Sequence, residues 1–193
     1  MATTLVTNRL ILRDWHDEDR GPFAALNADP RVMEYYPAPY TRAQSDAYID
    51  RARAHIAERD WGLWAIERKI DRRLIGSAGL WKVSWDAPFT PAVEVGWRLA
   101  IDAWGYGYAT EAGAASIADG FERLGLEEIV SMTVPANMRS RRVMERLGLT
   151  RDPADDFDHP QMAVDHPLAH HVLYRVTRAD WMAARINPGS TDR

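Results

Sequence analysis

The stretch Trp104-Gly105-Tyr106-Gly107-Tyr108-Ala109-Thr110-Glu111 carries the residue types best suited to hold an anion. Two glycines one residue apart close an apolar segment and open an alanine-rich helix. Glycine adopts positive φ without steric cost and lets a ligand come close to the main chain. The first turn of the following helix offers unpaired N–H groups and the positive end of its dipole. Loop and helix start together make a site for a phosphate or diphosphate. Three other readings of the loop exist. The dinucleotide fingerprint needs Gly-x-Gly-x-x-Gly after the first strand, but Thr110 stands at the third glycine and the loop lies past mid-chain. A P-loop needs a lysine that is absent here. An ordinary glycine-containing strand-to-helix turn is the plain alternative.

A second group with chemical potential is His159, His166, His170 and His171, interspersed with Asp155, Asp156, Asp158 and Asp165. Their spacings repeat no paired-ligand or helix-face pattern. The expectation is a solvated polar loop, with no metal. Tyr35-Tyr36-Pro37 and Trp85 are candidates to line an acceptor pocket, with plain core packing as the alternative for each.

These groups need a scaffold, and the hydrophobic pattern outlines one. Residues 5–13 alternate around Leu10 and Leu12 and read as a strand. A short helix over 17–27 follows, with Asp17 as N-cap. Thr41 caps a longer helix to Arg59, with Ala43, Ala47, Ile49, Ala52 and Ile56 apolar. Segments 62–68 and 74–82 read as a strand pair whose poor alternation fits strands covered on both faces. After a loop over 84–91, residues 93–99 form a strand. Val93, Val95, Trp97 and Leu99 share one of its faces, and Glu94, Gly96 and Arg98 the other. The glycine loop then leads into a helix ending near Leu124, with Gly125 just beyond. Residues 128–134 read as a strand, 137–147 as a helix stopped by Gly148, and 152–167 as a loop. A last strand spans 169–176, Thr177 caps a closing helix to Arg185, and residues 187–193 are expected to be a disordered tail. The pattern is mixed α/β in one domain over residues 1–186.

Bulk properties narrow the function. A chain of 193 residues with 46% apolar content suffices for one domain with a full core. A net charge of −4 provides no footprint for nucleic acid. The absence of cysteine excludes thiol nucleophiles and thiolate metal sites. No apolar run is long enough to span a membrane and no signal peptide is visible, so a cytoplasmic protein is expected.

Trp104-x-x-Gly107-x-Ala109 resembles the pyrophosphate-binding motif of the GNAT superfamily, the acyl-CoA-dependent N-acyltransferases, usually Gln/Arg-x-x-Gly-x-Gly/Ala. Thr7-Asn8-Arg9-Leu10-Ile11-Leu12-Arg13 and Asn27-Ala28-Asp29-Pro30-Arg31-Val32-Met33 resemble segments of its RimJ/RimL-like branch. Val93-Glu94-Val95-Gly96-Trp97 is similar to the family's fourth strand. Asn137-x-x-Ser140-x-x-Val143-Met144-Glu145-Arg146-Leu147-Gly148 resembles its helix across the cofactor, and Leu173-Tyr174-Arg175-Val176-Thr177-Arg178-x-x-Trp181 its closing strand. Trp104 replaces the polar first residue of the loop motif. Met144 stands where many members carry an acidic tyrosine, so that role does not transfer.

The resemblance implies a GNAT fold: a twisted sheet of six or seven strands with a splayed parallel pair, flanked by four helices. It implies acetyl-CoA as co-substrate and transfer of its acetyl group to a primary amine, either a protein N-terminal α-amine or a small molecule. A non-catalytic acyl-CoA-binding module is the alternative. Main-chain groups of Trp97, Arg98 and Leu99 would pair with the pantetheine arm as an added strand. Trp104, Gly105, Tyr106, Gly107, Tyr108, Ala109 and Thr110 would hold the pyrophosphate. Asn137 and Ser140 would face the pantetheine and thioester end, with a helix N-cap as the compatible plain role of Asn137. The amine would attack the thioester directly. Glu94 is the base candidate, with a surface pairing to Arg98 as its alternative. Ser140 is the candidate acid for the thiolate, with backbone hydrogen bonding as its alternative. His171 is the reserve base. Expected partners are the amine acceptor alone, with no nucleic acid and no membrane, in a monomer or homodimer.

Overall fold

The alternation at Leu10 and Leu12 is realised as an antiparallel hairpin instead of one long strand. β1 (Leu5–Val6) turns back into β2 (Leu10–Arg13), with Leu5 opposite Leu12. Thr7 makes the turn: its N–H donates to the Leu10 carbonyl at 3.0 Å, and its hydroxyl accepts from the Leu10 N–H at 3.0 Å. The computed structural model describes residues 3–163 and 165–186, so the expected tail lies outside the described residues.

The chain forms two compact units, the first comprising residues up to Trp81 with Val95–Ser116, the second Lys82–Glu94 with residues from Ile117 onward. In the first unit, α1 (Arg20–Ala28) and α2 (Arg42–Arg59) follow the hairpin. The start of α1 departs from expectation. Asp17–Asp19 is a 3₁₀ turn, and the Asp19 carboxylate accepts from the His16 N–H and from Arg13. Thr41 caps α2 as expected, in a box with Gln44: the Gln44 N–H donates to the Thr41 hydroxyl at 3.2 Å, and the Thr41 N–H to the Gln44 side chain at 2.8 Å.

Strands β3 (Leu63–Arg68) and β4 (Arg73–Lys82) pair antiparallel, Trp64 opposite Ala78. Buried runs at Trp64–Glu67 and Ile75–Leu80 explain their poor alternation, because neither face meets water. With β5 (Val93–Leu99) the strand order in this unit is β1-β2-β3-β4-β5. Leu10, Leu12, Trp15, Phe23, Ile49, Ile56, Trp64 and Ile66 form its core, each 2% exposed or less.

The second unit takes the strand order β5-β6-β8-β7, with β6 (Glu128–Thr133), β7 (Phe157–Asp158) and β8 (His170–Thr177). β5 and β6 run parallel, Glu94 opposite Val130, whereas β8 is antiparallel to β6. Three helices complete the chain: α3 (Tyr108–Glu122), α4 (Met138–Arg146) and α5 (Arg178–Ile186). Among the described residues, eight strands exceed the expected six or seven, and five α-helices match the five segments read as helices. The excess strands are two-residue pieces. One of them, β7, lies in the segment expected to be loop, where Phe157 and Asp158 pair with His171 and His170.

Candidate active site

In the first unit, the chain enters the glycine loop from a 3₁₀ turn at Ile101–Ala103. The Trp104 N–H donates to the Ile101 carbonyl at 3.1 Å, and its indole N–H to the Leu99 carbonyl at 2.9 Å. Gly105 and Gly107 then take φ of 82° and 80°, the left-handed region that side chains rarely occupy. Their effect is to turn successive N–H groups away from intrachain acceptors. Among the described residues, the N–H groups of Gly105, Tyr106, Gly107, Tyr108, Ala109 and Thr110 donate to no protein acceptor. The Glu111 N–H resumes the helical pattern with a bond to the Gly107 carbonyl at 3.0 Å. A Cβ built on Gly105 would meet nothing within 4 Å, so the cradle is open on that side. Six free amides on a loop that runs into a helix N-terminus fit a diphosphate.

The loop is held by groups far away in the chain. The Glu111 carboxylate accepts from the Thr7 hydroxyl at 2.6 Å, the Arg9 N–H at 2.7 Å and the Arg9 Nε at 2.6 Å. Burial resists ionisation of Glu111, but these hydrogen bonds and the Arg9 charge outweigh it and hold the carboxyl below its usual range. Arg9 also donates to the Tyr106 carbonyl at 2.9 Å and lies 4.7 Å from the Tyr108 ring centre. The loop motif announces the free amides. The clamp that shapes them spans about a hundred residues of sequence and has no local signal.

On β5, Leu99 is buried and Trp97 half-buried. Arg98 is 9% exposed, and its side chain does not make the surface pair with Glu94 weighed from the sequence. It donates instead to the Asn27 side chain at 2.6 Å and lies over Tyr36, Tyr40 and Tyr48 at 4.2, 5.1 and 5.3 Å. Tyr36, expected among acceptor-lining candidates, is therefore part of the arginine's surroundings.

In the second unit, Glu94 is partly buried and its carboxylate has no hydrogen-bond or ionic partner among the described residues. Burial alone pushes its carboxyl up to about 7. A carboxyl that titrates near neutrality and is bonded to nothing can accept a proton at working pH. Asn137 caps α4, accepting from the Ser140 N–H at 3.2 Å and donating to the Thr133 hydroxyl at 3.0 Å. The half-buried Ser140 hydroxyl makes no hydrogen bond among the described residues. Met144 is 1% exposed, a core side chain.

The histidine-bearing segment is more ordered than a solvated loop. Trp85, Phe89, Phe157, His159 and His171 pack ring against ring, with Trp85–His159 at 4.6 Å and His159–His171 at 5.1 Å. Burial lowers the pKa of both histidines. The Ala169 carbonyl, 3.0 Å from His171 Nδ1, requires the proton on that nitrogen, so neutral His171 carries its lone pair on Nε2. Among the described residues no three His, Cys, Asp or Glu side chains come together as metal ligands.

The chain matches a family model described as the acetyltransferase (GNAT) domain over residues 9–150. The uncharacterized protein YkkB of Bacillus subtilis is 31% identical over 148 residues, covering 76% of this chain and 85% of its own length. The crystal structure of an acetyltransferase from Agrobacterium tumefaciens superposes with a TM-score of 0.72 at 29% identity, covering 91% of this chain and 95% of that one. Spermidine N-acetyltransferase from Vibrio cholerae, crystallised with CoA and spermine, shares the fold with a TM-score of 0.71 at 17% identity, covering 91% and 99% of the two chains. The chain belongs to the GNAT family. It is an acetyl-CoA-dependent N-acetyltransferase.

Proposed function

We propose that the enzyme acetylates a primary amine by direct attack on the thioester, with the diphosphate of acetyl-CoA held by the N–H groups of residues 105–110. The six unpartnered amides carry this reading. Acetyl-CoA supplies the activated acyl group, and the chain supplies alignment, charge stabilisation and proton movement. Main-chain groups of Trp97, Arg98 and Leu99 hold the pantetheine arm, and Asn137 flanks it. A β5 N–H stabilises the developing oxyanion. Glu94, directly or through water, takes the proton of the amine. The Ser140 hydroxyl supplies one to the leaving thiolate. Resemblance of residues 7–13 and 27–33 to the RimJ/RimL-like branch favours a protein α-amine over a small molecule. Such an amine has an ordinary pKa of about 8, so a base titrating near 7 is adequate.

The test is amine-dependent release of free CoA thiol from acetyl-CoA, followed over a panel of peptides and small amines. Thiol release that rises with one acceptor and yields its acetylated product is expected. Tight CoA binding with no turnover on any amine would refute the catalytic assignments.

A further inference from the structure

Arg98 is the only arginine among the described residues that is buried, and it lacks what the other shielded arginines have. Arg13 contacts Asp19 and Glu67, Arg20 contacts Asp50, Arg68 contacts Asp71, Arg151 contacts Asp156, and Arg175 contacts Glu128 and Asp155. No carboxylate among the described residues meets Arg98. Its hydrogen-bonding partners are neutral: the Asn27 carbonyl, whose amide nitrogen is tied to the Ser45 hydroxyl at 2.9 Å, and the Tyr36 side chain. Nε is enclosed and bonded to nothing. Nη2 is not enclosed as Nε is. The hydroxyl of half-buried Tyr36 interacts with the guanidinium itself and keeps its own proton to donate, and that of half-buried Tyr40, whose ring also faces the guanidinium, has no partner among the described residues.

A buried cation without an anion is unfavourable, and burial strengthens its pull on any negative group that reaches it. Three tyrosine faces offset part of that cost through their quadrupoles. They leave the positive charge uncancelled, and two of them add O–H donors beside it. The free groups here are thus donors around a single positive charge. We propose that Arg98, with the hydroxyls of Tyr36 and Tyr40, binds a carboxylate carried by the acceptor, so that the substrate is an amine that also bears an acid. One cation with one open nitrogen matches a monoanionic carboxylate better than a dianionic phosphate. This substrate class rests on the acetyl-transfer reading above. The competing role for Arg98 is a purely structural link from β5 to α1 and α2.

Matched acceptors separate the two roles: β-alanine against β-alaninamide, C-terminally amidated Ala-Glu-Ala against C-terminally amidated Ala-Gln-Ala, and spermidine as an amine without an anion. The acid member of a pair is expected to have a kcat/KM roughly ten- to a hundredfold higher, expressed mainly in the KM for acceptor. Arg98→Met should bring that ratio close to one. Tyr36→Phe combined with Tyr40→Phe preserves ring packing and should lower it in part, which keeps the test available if Arg98→Met does not fold. Equal use of acids and amides by the wild type, or a preference that survives in these variants, overturns the proposal. A binding arm is independent of turnover. Glutarate, which has no amine, should raise the melting temperature of the wild type and not of the variants. If no amine releases thiol but glutarate discriminates, acetyl transfer fails and the anion site stands. If glutarate does not discriminate, the anion site fails.

Discussion

At Gly107 one atom's absence serves both conformation and chemistry. Its φ of 80° disfavours any side chain, and its N–H is one of six free amides. Gly107→Asp adds strain and a negative charge beside the expected diphosphate, and should weaken CoA binding at least about a hundredfold by calorimetry. Gly107→Asn, which tolerates positive φ and is neutral, should lose far less. Equal losses would mean that shape alone matters at the loop. At Glu94 the prediction concerns protons. A base pushed up to about 7 is protonated and idle below that pH, so kcat/KM should rise with pH through about 7. Glu94→Gln should lower kcat and erase that limb while CoA affinity holds. A profile unchanged in the variant would dismiss Glu94 as the base.

Among the elements, the β1–β2 hairpin and the start of α3 are tied by one carboxylate. Glu111 joins Thr7 and Arg9 to the helix that opens at Tyr108, and Arg9 in turn grips the Tyr106 carbonyl. Glu111→Gln keeps the volume but removes the charge that holds Arg9. The expected result is a CoA dissociation constant roughly five- to twentyfold higher, with kcat at saturating acetyl-CoA little changed. A fall in kcat with no change in affinity would show that the clamp acts elsewhere than on the loop. Local patterns foretold most elements. The Thr41 cap, the 93–99 strand and the glycine that ends α4 all read directly from neighbours in the chain. The hairpin did not, because the Thr7 side chain that turns it back looks like an ordinary strand residue.

For the molecule as a whole, titration should produce opposing slopes of stability. Glu94 has its folded pKa raised: between its ordinary pKa and about 7 the unfolded chain ionises while the folded chain does not, so stability falls as pH rises through that window. The full effect is on the order of 3 kcal/mol, which Glu94→Gln should recover at pH 8 but not at pH 4. His159 and His171 have lowered folded pKa values. As pH drops below the ordinary histidine value of about 6.5, the unfolded chain binds protons first and stability falls. Urea denaturation across pH 4–8 measures both. His159→Phe should flatten the acidic side, and an unaltered acidic slope would place its origin in other groups.

Short-range order explains what could be read in advance. A left-handed glycine and the first turn of a helix depend on a few consecutive residues, so the free amides of residues 105–110 were foreseeable from the chain alone. The family resemblance rested on the same kind of local motif. Charges follow a different rule, because a side chain's electrostatic state depends on whatever the fold brings beside it. On paper Glu94 and Arg98 share a strand face and attract each other. Folding instead leaves the Glu94 carboxylate partly buried and unpaired, and encloses Arg98 with an asparagine and three tyrosines from outside its strand. Desolvation and long-range partners exist only once distant segments have packed together.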